Sequence, residues 1–188
     1  MYRIGTFLLT DGLEDLERWA ADARAREAAD ARVRERWLRA QAEEEASLAG
    51  VLLALAERRE TVVATTAGGR RYRGAVTGVG VDFAVLQVPG GATTLVTLAG
   101  LADVRVVEGM RLTTGDGGGR GDLGVRLSDV LAQAAGQRPR VAVQAGATSV
   151  VGDLRAVGID VLTLRTDAAA IVYVSLASLS EVSFLASG

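Results

Sequence analysis

Apolar and polar positions along this chain follow a helical period first and an alternating period afterwards. From about residue 11 to residue 59 the spacing predicts helix. Leu13, Leu16, Ala20 and Ala23 fall on one face, and Ala29, Val33 and Trp37 form an i, i+4 ladder, with charges of both signs covering the rest. Asp11-Gly-Leu-Glu14 has the spacing of a capping box, which predicts the helix start. No proline interrupts Leu13 to Glu45, and Ala, Arg, Glu and Leu are strong helix formers. The apolar stripe is narrow and rich in alanine. It predicts a coiled coil with another copy or packing against the rest of the chain, the alternative being a solvated helix held by Glu–Arg pairs. Glu43-Glu44-Glu45 reads as a solvated segment rather than a metal site. After it, Leu48, Val51, Leu52, Leu53 and Leu55 predict a short, strongly apolar helix ending in Glu57-Arg-Arg-Glu60.

From Thr61 the pattern changes to β. Thr61–Thr66 is β-branched, Ala67-Gly-Gly-Arg70 is a hairpin turn, and Arg71–Val79 continues with Gly74 marking a sharp bend or bulge. Gly80-Val-Asp82 and Pro89-Gly-Gly91 are further turns, separating strands Phe83–Val88, Thr94–Thr97 and Ala102–Val107. The pattern then recurs. Displaced by 78 positions, Val79-Gly80-x-Asp82 matches Val157-Gly158-x-Asp160, Gly74 matches Gly152, and Val96-x-Leu98-Ala99-x-Leu101 matches Val174-x-Leu176-Ala177-x-Leu179. The second set of strands is Arg140–Gln144, Ser149–Val157, Val161–Arg165, Ile171–Ser175 and Ser180–Leu185. Leu127–Ala132 repeats the short helix. Turn glycines and an aspartate recurring in register predict a duplicated unit: a helix followed by five short, bent strands, as in a small, partly open barrel.

Composition narrows the chemistry. Among 188 residues there is no His, Cys, Lys or Asn, and all 21 positive charges are Arg. His- or Cys-ligated metals, a Ser-His-Asp triad, a Schiff-base lysine and a phosphate-loop lysine are therefore excluded. The reading is non-catalytic, with no cofactor and no metal. An enzyme would need a carboxylate pair, and Asp82 and Asp160 meet only if the two copies lie head to head. The net charge of −2 and pI near 5.3 argue against generic nucleic-acid affinity while allowing a local basic patch. No apolar run is long enough to span a membrane, and Met1–Thr10 lacks a cleavage pattern, so the expectation is a cytoplasmic protein without a signal peptide.

Two segments invite a sharper reading. Thr113-Thr-Gly-Asp-Gly-Gly-Gly-Arg-Gly-Asp122 has the look of a phosphate loop but lacks a third spaced glycine and a lysine, so it reads as a flexible linker. Calcium at Asp116 and Asp122 lacks a third carboxylate at suitable spacing. Arg70-Arg71-Tyr72-Arg73 offers three guanidiniums and an aromatic, suited to phosphates and a stacked base. Alternation sends Arg71 and Arg73 to one face and Tyr72 to the other, so Tyr72 is core or platform and the patch is a phosphate site or a solvated hairpin.

The helix, five bent strands, Gly69-Arg-Arg-Tyr-Arg-Gly74 and Val79-Gly-Val-Asp-Phe-Ala-Val-Leu86 resemble the Sm-like (LSm/Hfq-like) superfamily. Gly152–Asp160 and Ile171–Val182 repeat the resemblance in the second copy. With it the chain reads as four segments: a charged helix (1–46), a first Sm-like barrel with its helix (47–108), a Gly-rich linker (109–123) and a second Sm-like barrel with its helix (124–188). It also implies edge pairing between the fourth and fifth strands of neighbouring barrels, and RNA contact near the turns after strands two and four. Asp82 and Asp160 map onto the family's aspartate, as turn-fixing or ligand residues. Leu95-Val-Thr-Leu98 and Tyr173-Val-Ser-Leu176 stand where Hfq-type proteins carry Tyr-Lys-His. The expectation is a non-catalytic scaffold that self-associates through the N-terminal helix and the barrel edges, with RNA binding through Arg70–Arg73 as the alternative.

Overall fold

A computed structural model describes residues 7–111 and 121–185. The chain divides into two compact units, Met1–Ala46 and Ser47–Gly188. In the first, helix α1 runs from Phe7 to Glu44, starting four residues before Asp11, so the Asp11–Glu14 segment lies inside the helix. Among the described residues, Glu35 and Arg39 form an i, i+4 pair of the expected kind at 3.1 Å. Trp19, Val33, Trp37 and Leu38 are all more than half exposed.

The second unit is mainly β. Helix α2 (Leu48–Arg58) begins where the Ser47 hydroxyl accepts the Gly50 N–H at 3.1 Å, and ends at Arg59 in the left-handed region. Strands β1 (Glu60–Thr66), β2 (Arg71–Val79), β3 (Phe83–Gln87), β4 (Thr93–Thr97) and β5 (Leu101–Arg111) follow. The series then repeats as α3 (Leu127–Ala135), β6 (Arg140–Ala145), β7 (Thr148–Val157), β8 (Val161–Arg165), β9 (Ile171–Ser175) and β10 (Leu179–Phe184). Strand β5 extends to Arg111, into the span read as linker.

The ten strands form one antiparallel sheet, in the order β5-β1-β2-β3-β4-β10-β6-β7-β8-β9. Each copy contributes five strands in the same internal order, its fifth strand beside its first. Both second strands carry a register shift at the same place, between Val76 and Gly78 and between Leu154 and Ala156. Gly74 and Gly152 lie just before those shifts. A Cβ on Gly74 would strike the Gln87 carbonyl oxygen, and one on Gly152 would lie 2.6 Å from that of Arg165.

The repeat is not a single displacement. Val62 faces Gly74 and Val141 faces Gly152, so the first strands match at 79 positions while the later strands match at 78. The helices also match at 79: Leu52 and Leu131 are both buried, and Arg59 and Arg138 both have positive φ. The extra residue sits in the first hairpin turn: Thr66 to Arg71 spans five positions, and the matching Ala145 to Ser149 spans four, with β7 starting one residue earlier, at Thr148. The single 78-residue displacement expected from sequence is thereby corrected in the short helix and the first strand.

Two apolar cores result. Leu52, Leu55, Val62, Val76, Leu86 and Val96 fill one, and Leu131, Val141, Leu154, Leu162, Leu164 and Val182 anchor the other. Phe83 and Leu95 belong to the first copy yet lie in the second core. Strands β3 and β4 are thus buried on both faces.

Candidate assembly interface

The two copies meet where β4 pairs with β10, with Val96 opposite Glu181, Leu95 opposite Val182, Thr94 opposite Ser183 and Thr93 opposite Phe184. At this joint Glu181 is 1% exposed. An isolated carboxylate there would be costly, and the first copy supplies its partners. Arg70, from the first hairpin turn, places Nη1 2.7 Å from Oε1, and the Tyr72 hydroxyl donates to the same oxygen. Glu181 Oε2 has no hydrogen-bond partner among the described residues.

The surroundings set the electrostatics. The hydrogen bond to Glu181 holds the Arg70 guanidinium above its ordinary range. Burial, and after it the hydrogen bond to Glu181, pushes the Tyr72 phenol up to about 12. Thr94 and Ser183 hydroxyls lie 2.9 Å apart across the joint. Thr97 donates its hydroxyl to the Leu179 carbonyl at 3.0 Å and accepts the Gly100 N–H at 3.0 Å, closing the 3-10 turn Leu98–Gly100. A Cβ on Gly100 would lie 2.8 Å from the Ser180 Cα, so the chains approach there without room for a side chain. A cleft of about 380 Å³ opens beside this contact, lined by Ala, Gly, Ser and Leu179, with no charged group.

A second contact runs over the outer face of β3 and β4. The segment entering α3 lies along the end of β2, with the Val79 N–H donating to the Gly121 carbonyl, Leu123 N–H to the Val79 carbonyl and Val81 N–H to the Val125 carbonyl. Asp82 Oδ1 accepts the Leu127 N–H at 2.8 Å, at the first residue of α3. Helix α3 then faces Phe83 and Leu95 across a groove of about 630 Å³ lined on its side by Val130 and Gln133, and Leu127 and Leu131 share the second core with them.

The residues singled out from sequence are thus distributed as follows. Arg70 and Tyr72 are brought together at Glu181, while Arg71 and Arg73 are exposed on β2. Asp82 holds the start of α3, and Asp160 is exposed on the β7–β8 turn, five strands further along the sheet. Asp116 lies outside the described residues; Asp122 accepts the Gly124 N–H at 2.9 Å. Glu181 was not anticipated. A carboxylate in an alternating strand reads as solvent-facing, and its partners stand 109 and 111 positions earlier.

Beyond the joint, the two outermost strands differ in kind: β5 is a fifth strand and β9 a fourth. Among the described residues neither has a strand on its outer side. No family model matches the chain, and no curated protein matches it either.

Proposed function

We propose that the chain is a non-catalytic assembly scaffold on a tandem Sm-like fold, self-associating through the edges of its sheet and through α1. The observation that carries this reading is the β4–β10 joint, a fourth strand paired with a fifth strand, which leaves a fourth strand (β9) and a fifth strand (β5) open at opposite ends. A second copy can repeat the joint between β9 and β5. An open edge of this length otherwise invites uncontrolled pairing.

The side chains support it. In the register of β4 with β10, the residue on β5 that faces Ile171 is Val106, the counterpart of Phe184 facing Thr93. Both are apolar and nearly half exposed, Val106 at 47% and Ile171 at 49%. Burying such a pair against each other stabilises a copy-to-copy ladder. Helix α1 adds a second, weaker argument, since exposed Val33 and Trp37 are four apart on a helix none of whose described side chains is buried.

RNA is the alternative partner. On the present geometry Arg70 and Tyr72 are engaged with Glu181, which reduces the basic hairpin's surface to Arg71 and Arg73. Sedimentation velocity over a wide concentration range tests the main reading: the mass rises above that of one chain, and Val106→Lys or Ile171→Lys lowers it. Combining Val106→Lys with Ile171→Glu restores it. A mass of one chain at every concentration, together with salt-sensitive binding of single-stranded RNA lost in Arg71→Ala/Arg73→Ala, favours the alternative.

A further inference from the structure

The first copy's outer face has a lid; among the described residues, the second copy's corresponding face has none. On the first copy Leu95 is 3% exposed, in the core it shares with Leu127 and Leu131 of α3; its counterpart Tyr173 on β9 is 71% exposed. Ile159, at the β7–β8 turn, is wholly exposed where Val81 is partly covered. Asp160 matches Asp82, which receives the α3 N-terminus, but among the described residues the Asp160 carboxylate has no hydrogen-bond partner.

The lid also exists in an unused form. Helix α2 packs Leu52, Leu55 and Ala56 inward. Its Leu48 and Val51 match Leu127 and Val130 of α3, which are buried or packed against the second core. In α2 these two are 41% and 43% exposed. One chain therefore carries an uncovered apolar face at one end and an unpacked helical lid at the other.

We propose that α2 of a second copy covers the outer face of β8 and β9. Leu48 and Val51 pack against Ile171 and Tyr173, and Asp160 accepts the N–H of Leu48, as Asp82 accepts that of Leu127. The inference rests on the edge pairing proposed above and adds its occupant: the helix, as well as the strand, of the neighbouring chain. The contact is heterologous, with unlike surfaces meeting. It buries apolar side chains that a single chain leaves in water, and satisfies a first-turn N–H that has no partner within the helix.

The absence of cysteine makes the test direct. Full-length chains carrying Leu48→Cys are mixed with tagged chains carrying Ile159→Cys and treated with a short bismaleimide, with sedimentation of the same samples. The expected product is a cross-linked pair containing one chain of each kind, in excess of the like pairs formed by either variant alone. Adding Tyr173→Glu to the Ile159→Cys chain lowers its yield by about tenfold. Assembly without the mixed product, or like pairs formed equally well, overturns the helix docking and leaves edge pairing standing. A mass of one chain throughout overturns both.

Discussion

At the scale of single residues, Glu181 decides whether the joint between the copies holds. Removing Arg70 leaves a buried carboxylate with only the Tyr72 hydroxyl, so Arg70→Ala costs about 2–3 kcal/mol of unfolding free energy, below the roughly 3–5 kcal/mol of a fully buried broken pair because Arg70 is half exposed. In a Glu181→Gln background the same change costs under about 1 kcal/mol, and urea titrations of the four proteins measure the coupling. Tyr72 gives the joint a pH dependence. Its folded-state value, about 12, lies above the ordinary 10.0, so its contribution is fully present below pH 10 and is lost as pH rises through 12. The urea midpoint therefore falls across that window, and Tyr72→Phe, less stable throughout, lacks this part of the fall. The bends are the other single-residue dependence: Gly74→Ala and Gly152→Ala each drive a methyl into a neighbouring carbonyl. About 1–3 kcal/mol is expected for each, read as a lower melting temperature.

At the scale of elements, much of the β structure was legible. Strand limits from alternation fall within a few residues of those observed, because Gly-rich turns punctuate nearly every strand. The short helices were legible from their leucines. The start of α1 was not: a capping pattern at Asp11 also suits a helix interior when good helix formers precede it. Nor was the change of displacement from 78 to 79, since apolar β-branched strands match each other at either offset. The outer lid is the instructive case. Phe83-Ala-Val-Leu86 and Leu95-Val96 are apolar on both faces, which marks strands covered from both sides. The second copy reads Val161-Leu-Thr-Leu164 and Ile171-Val-Tyr-Val174, with Thr163 and Tyr173 on the outer face. Sequence shows that contrast, but only the joint shows which element does the covering. Glu181 was invisible for a similar reason: its meaning comes from two side chains more than a hundred positions away.

At the scale of the whole molecule, the second unit carries both cores. A chain reduced to residues 47–188 is expected to unfold in one cooperative urea transition. Two separate transitions would mean that the copies fold apart, despite Phe83 and Leu95 lying in the second core. The joint proposed between chains is also weaker than the one within the chain. Asp103 takes the place of Glu181 and is bound to Arg105 on its own strand at 3.1 Å, while Thr148 and Val150 stand where Arg70 and Tyr72 would reach across. Lacking the buried clamp, the proposed copy-to-copy contacts are expected to exchange readily, with the assembly dissociating on dilution before the chain unfolds.

The unlike ends of the sheet give the molecule a direction, as a brick with a tongue on one side and a groove on the other. In the proposed assembly, a chain damaged at only one end is worse than an inert bystander. Ile171→Lys spoils the β9 side but leaves β5 and α2 able to dock, so such a chain joins an assembly and stops it there. Its effect on mean length far exceeds its share of the mixture, and a double variant spoiled at both ends, Val106→Lys with Ile171→Lys, has no such effect.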